Sequence, residues 1–538
     1  MANHSLEAET RTAFNIHHVL TQGIERFEAG RLDEAKDRFL AVLQAGPIIA
    51  EAHYRMGLIH ARNGENRAAL TSIEKALELS PDRVAFMLDY AAVLSFVGRK
   101  EDAGKILLRA HNLDPCDVNV LYRLGESLEE QQRLPVAEEC FRRVVACMPD
   151  RAEAHFKLAT VLALQERRLE ALKHFQATVD IIPAHPLANW WAAEILNGEG
   201  RYEEAKPHMD ALYRLKNVYV TPSETAKRTV LIVADAGTGN VPLHFLLPQQ
   251  ENNTVKWMAQ YAAPGQEAQL PPYDVAFNTC GNPDVPPFGP AVLEYLKNCG
   301  KRVLNWPEKI PRTARERMTE MFGGIPGVCV PRVWRIEKQG DWGTVTDRDL
   351  PILTRPIGTQ GGVGLTLVET PAALAEAKAG GAKLYVTSYV DYRSADGYYR
   401  KYRTIFVDRK PYPYHLAISD IWLVHYYRAD MASMPAKLEE ERRFLDDPAA
   451  VLGPEGLAAL EAVGRALDLE YAGADYSILP DGRLLLFEAN ATMCVHAENE
   501  EEVLGFKNPY VHRIKEAFTR LLTDTSPLEG PAISTEAT

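Results

Sequence analysis

Arg355-Pro-Ile-Gly-Thr-Gln-Gly-Gly-Val-Gly364 is the stretch on which the reading of this chain turns. It follows an apolar run (Leu350, Ile352, Leu353) and precedes a second, Leu365-Thr-Leu-Val368. Four glycines between two strands let successive N–H groups turn toward one point, the geometry of an anion-binding nest, with Arg355 at its entrance. A plain hairpin has the same composition. The Walker loop does not fit, because it needs Lys-Ser/Thr and a following helix.

Two downstream pieces belong with this loop. One is Arg400-Lys-Tyr-Arg403; the other runs from Asp475 through Glu488 to Asn490. Asp475 lies six residues before Asp481 and Glu488 six after Gly482, so pairing about that Asp-Gly turn sets the two carboxylates near each other. Asn490, two beyond Glu488, shares its face. Three such oxygen donors suit a hard cation such as Mg²⁺. The alternative, a solvated acidic face, sits poorly with the apolar run Leu484–Phe487 just before Glu488.

Upstream the pattern is different. Prolines fall at 47, 81, 115, 149 and 183, and alanines at 35, 69, 103, 137, 171 and 205, each column on a period of 34 residues. Phe39, Ile73, Leu107, Phe141, Phe175 and Met209 keep the same period, as do the small residues Gly23, Gly57, Ala91, Gly125, Ala159 and Ala193. Glycine at 30, 64, 98 and 200, with Gln132 and Glu166 between, marks the turn of each helix pair. Five columns in phase over six units define a helix–turn–helix array, each pair covering its neighbour's apolar face. A further row, Tyr54, Leu88, Tyr122, Phe156 and Trp190, either lines a groove or fills space between helices. If it lines the groove, nearby Arg55, Arg123 and Lys157 favour an acidic ligand.

Composition narrows the class. At 538 residues two to four domains are expected. No apolar run is long enough to span a membrane, and Met1–Thr10 has no apolar core for a signal peptide. Seven scattered cysteines without Cys-x-x-Cys spacing read as reduced thiols, hence a cytoplasmic expectation. A net charge of −13 argues against nucleic acid as a partner. From Thr229 onward strands alternate with helices: Val230–Asp235, Tyr273–Asn278, a helix at 290–299, Arg302–Asn305 and a helix at 313–322. This predicts a small parallel sheet. Gly237-Thr-Gly239 is discounted as a dinucleotide loop, because Pro242 stands where the third glycine belongs.

These residues carry two resemblances. The 34-residue unit resembles the tetratricopeptide repeat, which implies a right-handed solenoid whose groove takes a peptide or protein. Ala474-Asp475-Tyr-Ser-Ile, the Asp-Gly turn and Phe487-Glu488-Ala-Asn490 look like the closing hairpin of the ATP-grasp fold. Arg355 to Thr370 is similar to the glycine loop of that fold's glutamate-ligase branch, enzymes that add glutamates to a ribosomal protein's carboxyl terminus. Asn305-x-Pro307, Glu316-Arg317-Met and Val330-Pro331 match the branch's entry segment. Lysines are usual where this chain has Arg317 and Arg355, and glutamate where it has Ser388.

The expected architecture is therefore an all-α solenoid, then a small α/β domain, then an α+β ATP-grasp fold. The expected boundaries are a tail at 1–15, six repeats over 16–216, a linker at 217–228 and an α/β domain over 229–335. A nucleotide-lid subdomain at 336–390, a second ATP-grasp subdomain at 391–525 and a disordered tail at 526–538 complete it. The resemblance implies a carboxylate–amine ligase using ATP and Mg²⁺ (or Mn²⁺) through an acylphosphate, with an amino acid or other amine as co-substrate. It implies that Arg317, Arg355, Thr359, Gln360, Gly361, Gly362 and Gly364 hold phosphates, while Ser388, Tyr389 and Val390 read adenine. It places Arg403 and Arg400 at the γ-phosphate and makes Asp475, Glu488 and Asn490 metal ligands. Lys401, His415, Asp420, His425 and His496 are candidates for reading substrate, although a histidine among aromatics is as readily a core residue. A homodimer is also compatible. The competing readings are an adaptor with a non-catalytic nucleotide domain and a kinase that stops at phosphoryl transfer.

Overall fold

The computed structural model describes residues 2–524 except 237–239, 285–287, 360, 361 and 363, with side chains from Asn15 onward except at 339 and 340. The expected tail at 526–538 and the discounted Gly237-Thr-Gly239 lie outside these described residues. The chain divides near Leu212 into two compact units.

In the first unit, helices follow in pairs: α1 (Ala2–Glu28) and α2 (Leu32–Ala45), α3 (Ala50–Arg62) and α4 (Asn66–Leu79), α5 (Val84–Phe96) and α6 (Lys100–Leu113). The array continues with α7 (Val118–Glu130) and α8 (Leu134–Cys147), α9 (Ala152–Leu164) and α10 (Arg168–Ile181), α11 (Pro186–Gly198) and α12 (Tyr202–Leu215). The repeat columns explain the packing. Gly57 lies against Ile73 so closely that a Cβ there would meet Cγ1 at 2.4 Å, and at Gly125 it would meet the Phe141 ring at 2.8 Å. The turn glycines 30, 64, 98 and 200 all have positive φ, and so do Gln132 and Glu166, which replace them. In three repeats a polar residue ties the helix pair to the preceding proline: His53, His155 and Asn189 bond the carbonyls of Pro47, Pro149 and Pro183 at 2.9, 2.9 and 2.8 Å, while Met87 and Leu121 hold the same column elsewhere.

The aromatic row belongs mostly to the core. Tyr54 is buried and stacked on Phe86 at 4.1 Å, Tyr122 meets Phe141 edge-on, and Phe156 meets Phe175. Trp190 stays 42% exposed. Arg55, Arg123 and Lys157 are each spent on a glutamate of the array, Glu51, Glu126 and Glu129, so the expected attraction for an acidic ligand is not supported by free cations in this row.

Two imidazoles face each other in this unit, His155 Nδ1 and His174 Nδ1, 3.0 Å apart. Burial first, then His155, pushes His174 down to about 4. The unfolded chain therefore binds this proton more readily than the folded one. Stability from the pair is intact above the ordinary histidine pKa of about 6.5 and drains away as pH falls toward 4. Urea titrations at stepped pH should show that loss in the parent chain, and His174→Phe should flatten it.

The second unit holds three sheets. In the first, β1 (Val218–Thr221), β2 (Arg228–Ala234), β3 (Asn252–Met258), β4 (Val275–Asn278) and β5 (Arg302–Leu304) lie in the order β1-β3-β2-β4-β5. All pairs are parallel except β1 with β3, and α13 (Pro290–Asn298) joins β4 to β5. After α14 (Met318–Phe322) and β6 (Val328–Cys329) comes an antiparallel sheet, β7-β10-β8-β9, made from β7 (Val333–Ile336), β8 (Ile352–Pro356), β9 (Thr366–Val368) and β10 (Leu384–Ser388). The helix α15 (Pro371–Ala379) links β9 to β10. The third sheet, β12-β11-β13-β14-β6, contains β11 (Tyr399–Val407), β12 (Lys410–Ser419), β13 (Tyr471–Ile478) and β14 (Leu484–Asn490). Helices α16 (Pro435–Asp446), α17 (Pro448–Leu467) and α18 (Asn508–Thr523) pack against it.

Period-two alternation gives this last sheet two unlike faces. Tyr402, Phe406, Leu416, Ala474, Tyr476 and Leu486 join the helices in one apolar core, where Tyr402 stacks on Tyr476 and meets Phe444 edge-on. Lys401, Arg403, His415, Asp475 and Glu488 point the other way, into a cavity.

Three expectations need correction. Residues 2–15 are the start of α1, as their Ala- and Glu-rich composition allows. The linker at 217–228 contains a strand, because Val218-Tyr-Val-Thr221 has β-forming residues that extend the sheet beside β3. Asn252–Met258 is a strand that sequence reading passed over, since its polar start hid the Val255-Lys-Trp-Met258 alternation.

Candidate functional site

Four ionisable side chains lie in register across four strands. His415 of β12 is opposite Arg403 of β11, Arg403 is opposite Asp475 of β13, and Asp475 is opposite Glu488 of β14. Ladder irregularities flank the row, between Arg403 and Thr404 and between Asp475 and Tyr476. The second leaves Phe487 as an extra residue, so Leu485, Phe487, Glu488 and Asn490 all reach the cavity. The cavity measures about 500 Å³.

Its charges are tightly arranged. Asp475, 2% exposed, accepts from Arg403 Nε at 2.6 Å and Nη2 at 2.8 Å, with Lys401 Nζ at 3.1 Å. Burial alone would raise its pKa, and Arg403 and Lys401 reverse that, holding it ionised. Glu488 is ion-paired to Arg315. Burial raises Glu488 too, and Arg315, Lys401 and Arg355 outweigh it to leave a net lowering. Arg355, 8% exposed, bonds only the hydroxyl and carbonyl of Thr359 among the described residues. Burial, then Arg315, pushes its guanidinium down to about 10. Glu488 and Asp284 act on it only at a distance, and a buried cation without a direct ion pair among the described residues is held against a desolvation cost and favours an anion.

Thr359 and Gly362 line the cavity with Arg355, and the loop needs its glycines, since Gly358, Gly362 and Gly364 have φ of +82°, +80° and +68°. Gly364 lies at the base of the loop, tight against Pro356, and does not line the cavity. Gln360 and Gly361 fall outside the described residues. Ser388, Tyr389 and Val390 form one wall, but the Ser388 N–H donates to Arg332 O at 2.9 Å and the Tyr389 N–H to Pro351 O at 3.0 Å. Among the described residues that leaves the Val390 N–H as the one of the three without a backbone acceptor.

Two predicted phosphate contacts are displaced. Arg317 is exposed and pairs with Glu320 at 3.5 Å, whereas Arg315 enters the cavity. The chain turns as a 3-10 helix over Arg315–Arg317, so residues two apart point to different sides. Arg400 is held by Asp396 and Glu440, because strand alternation turns it away from the face that carries Lys401 and Arg403.

Asn490 lines the cavity, and its Oδ1 accepts from the Thr492 N–H at 2.9 Å and hydroxyl at 3.0 Å. No cluster of three His, Cys, Asp or Glu side chains suited to a metal occurs among the described residues. The metal candidates are two carboxylates and one amide, hard oxygens of the type Mg²⁺ takes, and each is already engaged: Asp475 by Arg403 and Lys401, Glu488 by Arg315 and Asn490 by Thr492. His415, His425 and His496 line the cavity, and Asp420 does not. His496 bonds the Tyr414 and Tyr427 hydroxyls.

Sequence reading missed Arg315, Asp284 and Lys507. Asp284 binds Arg335 and the Tyr385 hydroxyl, both at 2.7 Å, tying the first sheet's loop to the second sheet. Lys507 is 1% exposed, pairs with Glu498 at 3.2 Å and lies 4.0 Å from the centre of the Tyr426 ring. No spacing rule links these three to the strands they serve.

Comparison with known proteins bears on the first unit. The tetratricopeptide-repeat family matches residues 20–84, 54–115 and 122–186. The amino-terminal 200 or so residues are a tetratricopeptide-repeat domain. The repeat domain is followed by a mixed α/β region. Among curated relatives, human protein O-mannosyl-transferase TMTC3 is 26% identical over 156 residues, 28% of this chain and 17% of that protein. The peroxisomal targeting signal receptor of Eremothecium gossypii is 21% identical over 279 residues, 45% of this chain and 46% of the receptor. The chain thus spans less than half the length of either relative. Solved structures similar to it include YrrB, described as a TPR protein with an unusual peptide-binding site (24% identity, TM-score 0.30, 32% of this chain and 88% of that one). Pseudomonas aeruginosa PilF is another (18% identity, TM-score 0.35, 38% and 93%). No helix among the described residues is long and apolar enough to cross a membrane, and all seven cysteines are free.

Proposed function

We propose that the α/β unit is an ATP-grasp carboxylate–amine ligase and that the repeat domain recruits a peptide or protein carrying one of its substrates. The observation that carries this reading is Arg355, buried without a carboxylate partner among the described residues, beside a glycine loop and facing Glu488 across one cavity. Arg355, Arg315, Lys401 and Arg403 set four cations against Asp475 and Glu488, a surplus that suits a polyphosphate. Glu488 and Asn490, with Asp475, would hold Mg²⁺, which supplies charge neutralisation on the phosphates. Arg355 and the Thr359–Gly362 loop bind the phosphates, Arg403 and Lys401 orient the γ-phosphate, and Tyr389 and Val390 border the base. A carboxylate oxygen takes the γ-phosphoryl group, ADP leaves, and an amine displaces phosphate from the acylphosphate. The protein's share of this chemistry is positioning and electrostatics, which calls for no Ser-His-Asp set.

Recruitment is supported by the repeat family itself and by the naming of a targeting-signal receptor and a peptide-binding protein among the similar chains. Asp475, wholly engaged by Arg403 and Lys401, also suits a nucleotide-binding adaptor without turnover. Calorimetry with ADP and Mg²⁺, followed by an assay of ADP release with carboxylates and amines, separates the readings. Arg355→Ala and Arg315→Ala should each weaken nucleotide binding by at least about tenfold, the worth of one charge-assisted hydrogen bond. Arg317→Ala should leave it unchanged. Unaltered affinity in Arg355→Ala would remove the proposal, and binding without ADP release would favour the adaptor.

A further inference from the structure

Beyond the phosphate end, the cavity has a second pole, formed where β12 meets the segment from Trp422 to Arg428. His415 is 6% exposed, lines the cavity, stacks on Tyr426 with ring centres 4.7 Å apart, and has no hydrogen-bond partner on Nε2 among the described residues. His425 also lines it, and its buried Nδ1 is likewise unpartnered. A buried ring nitrogen without a partner is a costly arrangement, which a ligand in the adjoining cavity could relieve. Two in one cavity point to a single ligand end.

The position of His425 is informative. Leu423, two residues before it, lies against the glycine loop: a Cβ on Gly362 would be 3.6 Å from Leu423 Cδ1. His425 follows on this segment and lines the same cavity as Gly362, Lys401 and Arg403, the residues assigned above to the phosphates. The segment is held in place from behind. Tyr426 donates its hydroxyl to buried Glu441 at 3.0 Å, and Tyr392 donates to the Trp422 carbonyl. The charged groups that act on His425 are Lys401 and Arg403 of β11, Arg428 of its own segment and Asp475 of β13. Burial, then those cations, lowers its pKa, so at neutral pH the ring is unprotonated and one nitrogen is free to accept.

Building on the ligase reading, we propose that His425 is the proton acceptor for the amine nucleophile, with His415 seating that amine. An ammonium that becomes an amide N–H sheds two protons. One proton must leave before the nitrogen can attack, and it passes to the His425 ring; as the new C–N bond then forms and the C–O bond to phosphate breaks, the second proton leaves on the phosphate. Hydroxylamine is neutral at pH 7 and sheds only one proton, which the phosphate carries away. It has no need of His425.

The test uses the full chain with ATP, Mg²⁺ and each of the proteinogenic amino acids as carboxylate, with hydroxylamine or an amino acid as nucleophile. His425→Asn should lower amide formation at pH 7 about 10²-fold more than it lowers hydroxamate formation, the usual worth of a general base. Raising the pH toward the amine's own pKa should restore much of that loss. An equal fall with both nucleophiles would overturn the proposal, since a merely structural histidine acts on both alike. Nuclear magnetic resonance of histidine-labelled chain, with His425→Asn for assignment, gives an independent reading. A His425 pKa above the ordinary value would overturn the proton-acceptor role and leave the ligase reading intact. No hydroxamate from the parent chain with any carboxylate would overturn both.

Discussion

Arg403→Met should unfold at much lower urea than the parent chain, and Arg403→Met/Asp475→Leu should recover most of that loss. Asp475 is 2% exposed and receives two hydrogen bonds from Arg403. Removing the arginine leaves a buried carboxylate with Lys401 alone, 3.1 Å away. Breaking one side of a buried pair costs about 3–5 kcal/mol, whereas replacing both sides with apolar groups is often neutral. The two variants differ in stability and agree in function. If Arg403 orients the γ-phosphate, neither releases ADP. A double variant that is both stable and active would show the pair to be structural and would take Arg403 out of the proposed mechanism.

Gly57→Val should destabilise the repeat domain by about 3 kcal/mol, the upper range for overpacking a close-packed interior. Its first side-chain atom would already lie 2.4 Å from Ile73 Cγ1 and 3.2 Å from the Ala69 carbonyl, and that carbonyl belongs to a helix backbone that cannot step aside. Urea denaturation followed by far-ultraviolet circular dichroism measures the shift. A matched Gly30→Val tests a different cost, since φ there is +73° with open space around it, and only backbone strain of about 1 kcal/mol is expected. Equal losses at the two positions would mean that helix crossing is not what selects glycine at 57.

Periodicity explains which features sequence reading found. A repeat of 34 residues is an extended, redundant signal, and every column reappears as a contact: alanine and proline at helix ends, glycine or alanine beneath Ile73 and Phe141. The hairpin arms carrying Asp475 and Glu488 were legible for a similar reason, because distance from an Asp-Gly turn sets register, and the bulge at Phe487 altered it by only one residue. Errors arose where a side chain's direction depended on local winding. Arg315 and Arg317 differ by two positions on a 3-10 turn whose phase no pattern announces. Arg400 and Arg403 are an odd number of residues apart on one strand, which puts them on opposite faces, and counting from Arg403 would have separated them. The Ser388 and Tyr389 N–H groups are committed to the carbonyls of Arg332 and Pro351, distant partners that sequence spacing cannot anticipate.

Every described residue lining the cavity falls between Gly281 and Lys507, so the candidate site is encoded in one continuous part of the chain, and the repeat array in another. Such a division makes the two parts interchangeable in principle: a different array could deliver a different cargo to unaltered chemistry. If the ligase proposal holds, the helical unit would raise the local abundance of what is joined and leave the choice of reaction to the strands.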